Sequence, residues 1–217
     1  MPQLTLPRQH RTVLAAALPL SAWAVHTGVL TARLRAARRD PLTGVLTRHG
    51  FEQAARRTLT HPNGLLVFVD LDRFKQVNDT HGHAAGDAIL TRTATALTVW
   101  AGPRGVVGRF GGDEFTAALT VRPDGIFARL GALAAALAGP TWEGLALDTA
   151  ASVGAVRPAE LPVPSLSAAL AAADAAMYEA KQHGGNLWAL ADAEHMHPNA
   201  ARRWDRNRPA TTTRRAA

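Results

Sequence analysis

Apolar residues fall along the chain in blocks whose spacing alternates between strand and helix. Leu65 to Val69 is an unbroken apolar run, the mark of a strand buried on both faces. Further on, Val106 and Val107 lead into Arg109-Phe110-Gly111-Gly112-Asp113-Glu114-Phe115, after which Ala117, Leu119 and Val121 alternate with smaller or polar residues. This predicts a β-hairpin with acids at its tip, the glycines serving the positive φ angles of a tight turn. Helical spacing governs most of the remainder. A short helix is expected over Phe74 to Thr80, broken by Gly82, and a longer one over Ala84 to Trp100 with Ile89, Leu90, Ala94 and Leu97 inward. Ile126 to Leu137 reads as a helix packing by Leu130, Leu133 and Leu137, with Gly139-Pro140 beyond its end. Trp142 to Val156 supplies strand material. Leu166 to Gln182 is the last strong helix, with Leu170, Ala173, Met177 and Ala180 at helical spacing and Tyr178 also assigned to the core. Asp40 to Gly44 reads as a turn into a helix that has Thr47 as N-cap and Phe51, Ala54 and Ala55 on one face. Strands alternating with helices around a central hairpin indicate an α+β fold with a mixed central sheet flanked by helices.

The two ends differ from this middle. Thr12 to Ala32 contains no Asp, Glu, Lys or Arg and is about as long as the roughly 20 residues that cross a bilayer. Pro19, Ser21, His26 and three threonines temper its hydrophobicity, so a buried or dimerising helix and a cleaved signal peptide are the alternatives. Arg33, Arg35, Arg38 and Arg39 follow, and the positive-inside tendency puts the remainder in the cytoplasm. The expected division is a hydrophobic membrane-anchor segment with a basic juxtamembrane stretch (1–39), a folded domain (40–190) and a disordered arginine-rich tail (191–217). The expected location is the inner membrane in a single pass, with a soluble cytoplasmic protein as the alternative.

Composition narrows the chemistry. With 217 residues and no cysteine, the chain has room for one ordinary domain and excludes disulfides and zinc-thiolate sites. A formal charge of +7 carried almost wholly by arginine does not by itself imply nucleic acid, and none is expected as a partner. Only Lys75 and Lys181 are lysines. Asp70-Leu71-Asp72 ends the buried strand, where charge is costly unless used. If the hairpin pairs beside that strand, Asp70 converges with Asp113 and Glu114. The three would offer hard oxygen ligands suited to magnesium carrying a phosphate substrate.

The chain resembles the GGDEF-domain diguanylate cyclases. The likeness runs from about Asp40 to Asn186 and rests on ordered motifs: Asp40-Pro41-Leu42-Thr43-Gly44, Asp70-Leu71-Asp72-Arg73-Phe74-Lys75, Asn78-Asp79, Gly82-His83-Ala84-Ala85-Gly86-Asp87, the central heptad, Ser152-Val153-Gly154, and Ala173-Asp174-Ala175-Ala176-Met177-Tyr178-Glu179-Ala180-Lys181. The resemblance implies a ferredoxin-like nucleotide-cyclase palm and a homodimer that condenses two GTP into cyclic di-GMP and two pyrophosphates for second-messenger signalling. It implies Mg2+ or Mn2+ at Asp70, the Leu71 carbonyl, Asp113 and Glu114, with Asp113 and Glu114 catalytic. Substrate would be held by Asn78 and Asp87 at guanine, Lys75 and Lys181 at the phosphates, and His83, Phe74, Gly111 and Gly112 nearby. The sequence departs from the family pattern where Thr47 stands for an asparagine and Gly185 for a phosphate-binding arginine. Gly102 and Gly105 replace the arginine and aspartate of the family's product-binding motif. A catalytically weak or inactive GTP-binding regulatory module is the alternative reading, and a membrane-tethered interaction module the third.

Overall fold

The apolar run at Leu65 to Val69 is the middle of a longer strand whose alternate residues enter two separate cores. The computed structural model describes residues 38–191 together with Trp23, His26 and Thr27. In chain order the elements are β1 (Leu46–Thr47), α1 (Arg48–Ala54), α2 (Arg56–Leu59), β2 (Gly64–Asp72), α3 (Phe74–His81), α4 (His83–Ala101), β3 (Val106–Arg109) and β4 (Glu114–Thr120). They continue with α5 (Ile126–Leu137), β5 (Thr141–Trp142), β6 (Leu145–Ala146), β7 (Ala150–Val156), α6 (Leu166–Gln182) and β8 (Trp188–Leu190). Six strands form one sheet in the order β1-β3-β4-β2-β7-β8, and β5 pairs with β6. The β2–β4, β2–β7 and β3–β4 pairings are antiparallel; the outer β1–β3 and β7–β8 pairings are parallel. The inner four strands with α4 and α5 as crossovers make the βαββαβ pattern of a ferredoxin-like fold.

Leu65, Val67 and Val69 pack with Phe115, Ala117 and Leu119 of β4 against Ile89 and Leu97 of α4 and Leu130 and Leu133 of α5. On the opposite face Leu66, Phe68 and Ala118 meet Phe51 of α1 and Leu170, Ala173 and Met177 of α6. Both faces are thus covered, which is why β2 lacks a polar alternation. Each fully buried Leu, Val or Phe contributes about 1.5–3 kcal/mol, so the strand that ends at the acids is firmly held.

Local chemistry sets the boundaries. Thr47 caps α1, its hydroxyl accepting from the Gly50 N–H, and Ser165 caps α6 by accepting from the Ala168 N–H. Trp142 to Val156 is not one strand: Glu143 and Gly144 take left-handed backbone, with φ of 50° and 79°, and fold the first part into the β5–β6 hairpin. Two expected core residues face outward. Tyr178 is 44% exposed because the buried face of α6 passes through Met177 and Ala180, and Ala54 is exposed while Phe51 and Ala55 are buried. The candidate membrane helix at 12–32 and the tail at 192–217 lie almost wholly outside the described residues; among those described, no helix is long and apolar enough to cross a membrane.

Candidate active site

Pairing fixes the site. In the β2–β4 ladder Asp70 stands opposite Glu114, while in the β2–β7 ladder it stands opposite Ser152. The hairpin tip closes onto the same strand, the Leu71 N–H donating to the Asp113 carbonyl at 3.3 Å. Asp70, Asp113 and Glu114 therefore converge as the sequence anticipates. Lys181 comes down from the end of α6 and places Nζ 2.5 Å from Asp70 Oδ1.

Burial and crowding leave Asp70 and Glu114 reluctant to ionise. For Asp70, burial raises the pKa; the hydrogen bond and charge of Lys181 pull it down, Asp113 and Asp72 push it up, and the net shift is upward. Glu114 is raised as well, first by burial and then by the charges of Asp70, Asp113 and Asp174, with Lys181 opposing. Among the described residues no group of three or more His, Asp or Glu side chains stands at metal-ligating spacing, and Asp70 is paired with Lys181. The donor set nevertheless fits a hard divalent cation: oxygen donors only, half-buried and mutually repelling.

The glycines of the tip behave differently from the expectation. Neither Gly111 nor Gly112 is among the positive-φ residues. A Cβ at Gly111 would meet Glu114 Oε2 at 2.5 Å, so a side chain there would displace the Glu114 carboxylate; at Gly112 a Cβ would meet open space. The tip is held from outside by Arg109, whose Nε and Nη2 donate to the Gly112 carbonyl at 3.2 and 2.7 Å and whose Nη1 donates to Asp40 Oδ1 at 3.1 Å. The same Asp40 oxygen accepts from the Thr43 N–H at 2.9 Å and the Thr43 hydroxyl at 2.6 Å. Burial works against ionised Asp40, yet the bonds from Thr43 and Arg109 outweigh it and hold its carboxyl below the usual range. Phe110 completes the anchor with edge-on contacts to Phe51 and Phe68 at 5.5 and 5.9 Å.

The remaining expected residues lie on α3 and α4. Phe74 and Asn78 are half-buried on α3, Lys75 is exposed on its first turn, and His83 and Asp87 are exposed at the start of α4. Asp72 is engaged structurally, Oδ1 accepting from the Ser152 hydroxyl at 2.7 Å and Oδ2 from the Asn186 N–H at 2.8 Å. Sequence reasoning missed two residues. Arg109 was visible only as a charge at the end of an apolar strand. Asp174 could have been found from helical geometry, since it lies seven positions before Lys181 and so shares its face of α6.

An acidic hairpin tip thus stands beside a strand-end aspartate on a ferredoxin-like sheet. The sequence profile described as "Diguanylate cyclase, GGDEF domain" matches residues 37–187, and the chain belongs to the GGDEF-domain family. It is 56% identical over 169 residues to an uncharacterised 19.3 kDa protein of Streptomyces ambofaciens, covering 77% of this chain and 91% of that one. It is 32% identical over 163 residues to the diguanylate cyclase DgcZ of Escherichia coli K12, covering 72% of this chain and 54% of that protein. The chain thus spans about half the length of that curated cyclase. Among solved structures, the coiled coil and GGDEF domain of DgcB from Caulobacter crescentus, in complex with c-di-GMP, superposes with a TM-score of 0.68 at 25% identity, covering 82% of this chain and 99% of that one.

Proposed function

We propose that the chain is a diguanylate cyclase that binds one GTP per subunit and, across a homodimer, joins two of them into cyclic di-GMP with release of two pyrophosphates. The observation that carries this reading is the pairing of Asp70 with Glu114, which gathers the acids of two separate motifs at one point. Asp70, the Leu71 carbonyl, Asp113 and Glu114 would hold Mg2+ or Mn2+. When bound, such a cation neutralises charge on the reacting phosphates.

The chain's own residues supply position and a proton acceptor. In-line phosphoryl transfer depends on alignment and charge neutralisation more than on covalent chemistry. The 3′-hydroxyl of one GTP attacks the α-phosphorus of the other; the new P–O bond forms as the bond to pyrophosphate breaks, and Asp113 takes the hydroxyl proton. Asp87 accepts from guanine N1 and the 2-amino group, a pair of donors adenine does not present, and Asn78 bonds the remaining edge. Lys75 and Lys181 take the β- and γ-phosphates. Phe74 and His83 flank the nucleotide, while Gly111 and Gly112 keep the tip backbone bare where ribose approaches.

The test is chromatography of the products after incubating the purified chain with GTP and magnesium, at several protein concentrations. Cyclic di-GMP and pyrophosphate are expected, with specific activity rising as dimer forms. GTP that binds but is recovered unchanged would instead support the GTP-binding regulatory module, the reading favoured by Thr47 and Gly185. Location in the inner membrane is a separate proposal, resting on the uncharged stretch at 12–32; recovery of the full chain in the membrane fraction after high-salt washing supports it, and recovery in the soluble fraction overturns it.

A further inference from the structure

A cavity of about 240 Å3 opens at the end of α6, lined by Asp72, Arg73, Ala150, Lys181, Gly184, Gly185 and Asn186. Its three charged side chains are held very differently. Both oxygens of Asp72 are committed to Ser152 and Asn186. Lys181 reaches the largely buried Asp70. Arg73 is paired at 2.8 Å with Asp148, and the two side chains are 54% and 76% exposed; a pair so open to water is weak and readily exchanged.

The backbone around the cavity restricts where a second cation can come from. Gly185 combines a φ of +72° with a place where a Cβ would meet Asp72 Oδ2 at 2.9 Å, so no side chain enters from that position without strain. Arg73 also lines the cavity, and it adopts the left-handed region itself, with φ of 56°. A non-glycine residue in that region carries a conformational cost and is a place to look for function. A guanidinium is also the side chain best matched to phosphate, through two parallel N–H donors.

We propose that Arg73 is a phosphate-binding residue of this cavity: when a nucleoside triphosphate binds, its guanidinium leaves Asp148 and takes the terminal phosphate beside Lys181. The proposal rests on the GTP reading above for the identity of the nucleoside.

The experiment is titration calorimetry of the full chain with magnesium, using the α,β-methylene analogue of GTP, GMP and inorganic tripolyphosphate. Arg73→Gly is the informative variant, because glycine accepts the backbone conformation that Arg73 holds. It is expected to bind the analogue about tenfold more weakly than wild type, the scale of one charge-assisted hydrogen bond, and GMP equally well. Arg73→Lys should recover part of the loss, and Asp148→Ala, which frees the guanidinium, should bind the analogue at least as tightly as wild type. Equal binding of the analogue by wild type and Arg73→Gly, or weaker binding by Asp148→Ala, overturns the proposal and leaves the GTP reading standing. Tripolyphosphate binding that depends on Arg73 without any preference for the guanine nucleotide overturns the GTP reading and leaves the role of Arg73 standing. A wild-type chain that binds neither triphosphate overturns both.

Discussion

Lys181 Nζ lies 2.5 Å from Asp70 Oδ1, joining the end of α6 to the end of β2 across 111 positions of sequence. Asp70 sits among Asp72, Asp113 and Glu114, so the lysine is the positive charge that makes this acidic cluster tolerable without a metal. Lys181→Ala should lower the stability of the metal-free chain by about 1–3 kcal/mol, since truncating one partner leaves a mostly buried carboxylate uncompensated. Added magnesium should restore most of the loss. Thermal melts with and without magnesium check this; a variant as stable as wild type in chelator would show that the pair carries no such burden.

Asp113→Ala should abolish turnover while the fold survives. The side chain sits at a turn tip and packs against little, so the melting temperature should stay within about 2 °C of wild type. Product formation should fall by on the order of 10²-fold or more, the usual loss when an electrostatic group at a reacting phosphate is removed. Initial rates at saturating GTP and magnesium decide the matter, and retained wild-type turnover would remove the carboxylate mechanism.

Arg109→Ala should loosen the hairpin tip without unfolding the sheet. The change deletes the donors to the Gly112 carbonyl and to Asp40, with an expected cost of about 1–3 kcal/mol. Amide hydrogen exchange at residues 110–113 should accelerate in the variant while exchange in β2 stays slow. Uniform acceleration across the sheet would mean that Arg109 supports the whole fold rather than the tip.

The raised pKa values of Asp70 and Glu114 have a definite sign. Within the window between the unfolded carboxylate value and the raised folded one, the folded chain holds protons that the unfolded chain has lost, so stability falls as pH rises. Asp40 acts oppositely, because its depressed pKa contributes stability that is present above its unfolded value and lost as pH falls. Comparison with Glu114→Gln separates the two. In metal-free buffer from roughly pH 4 to 8, the variant should become progressively more stable relative to wild type as pH rises. A difference that stayed constant or shrank would contradict this assignment.

Added cyclic di-GMP should inhibit weakly and only by competing with GTP. The positions that would carry a product-binding arginine and aspartate are Gly102, with φ of +75°, and Gly105, where a Cβ would meet the Ala101 carbonyl oxygen at 2.5 Å. Neither place offers a guanidinium or a carboxylate. Calorimetry of cyclic di-GMP in the presence of saturating non-hydrolysable GTP should show no tight binding; a tight site surviving that competition would place it outside the catalytic pocket and defeat the prediction.

The long elements were legible because their period repeats. Ile126–Leu137 and Leu166–Gln182 have the expected boundaries, and the unbroken run at Leu65 to Val69 announced a strand buried on both faces. β1 and β8, of two and three residues, are too short to display any period, and their partners are remote in sequence. The convergence of Asp70 with Asp113 and Glu114 followed once the hairpin was set beside β2. Arg109's bond to Asp40 spans 69 positions and left no local trace, and the exposure of Tyr178 depended on which face of α6 the sheet would cover.

The brevity of those outer strands has a further consequence. Among the described residues β1 and β8 bound the six-stranded sheet, so neither outermost strand is long enough to serve as an extended template for another chain. A protein proposed to work face to face with its own copy has most to lose from sticking to it edge to edge. The blunt margins oppose ribbon-like stacking and leave self-recognition to side-chain surfaces, which can be tuned one residue at a time.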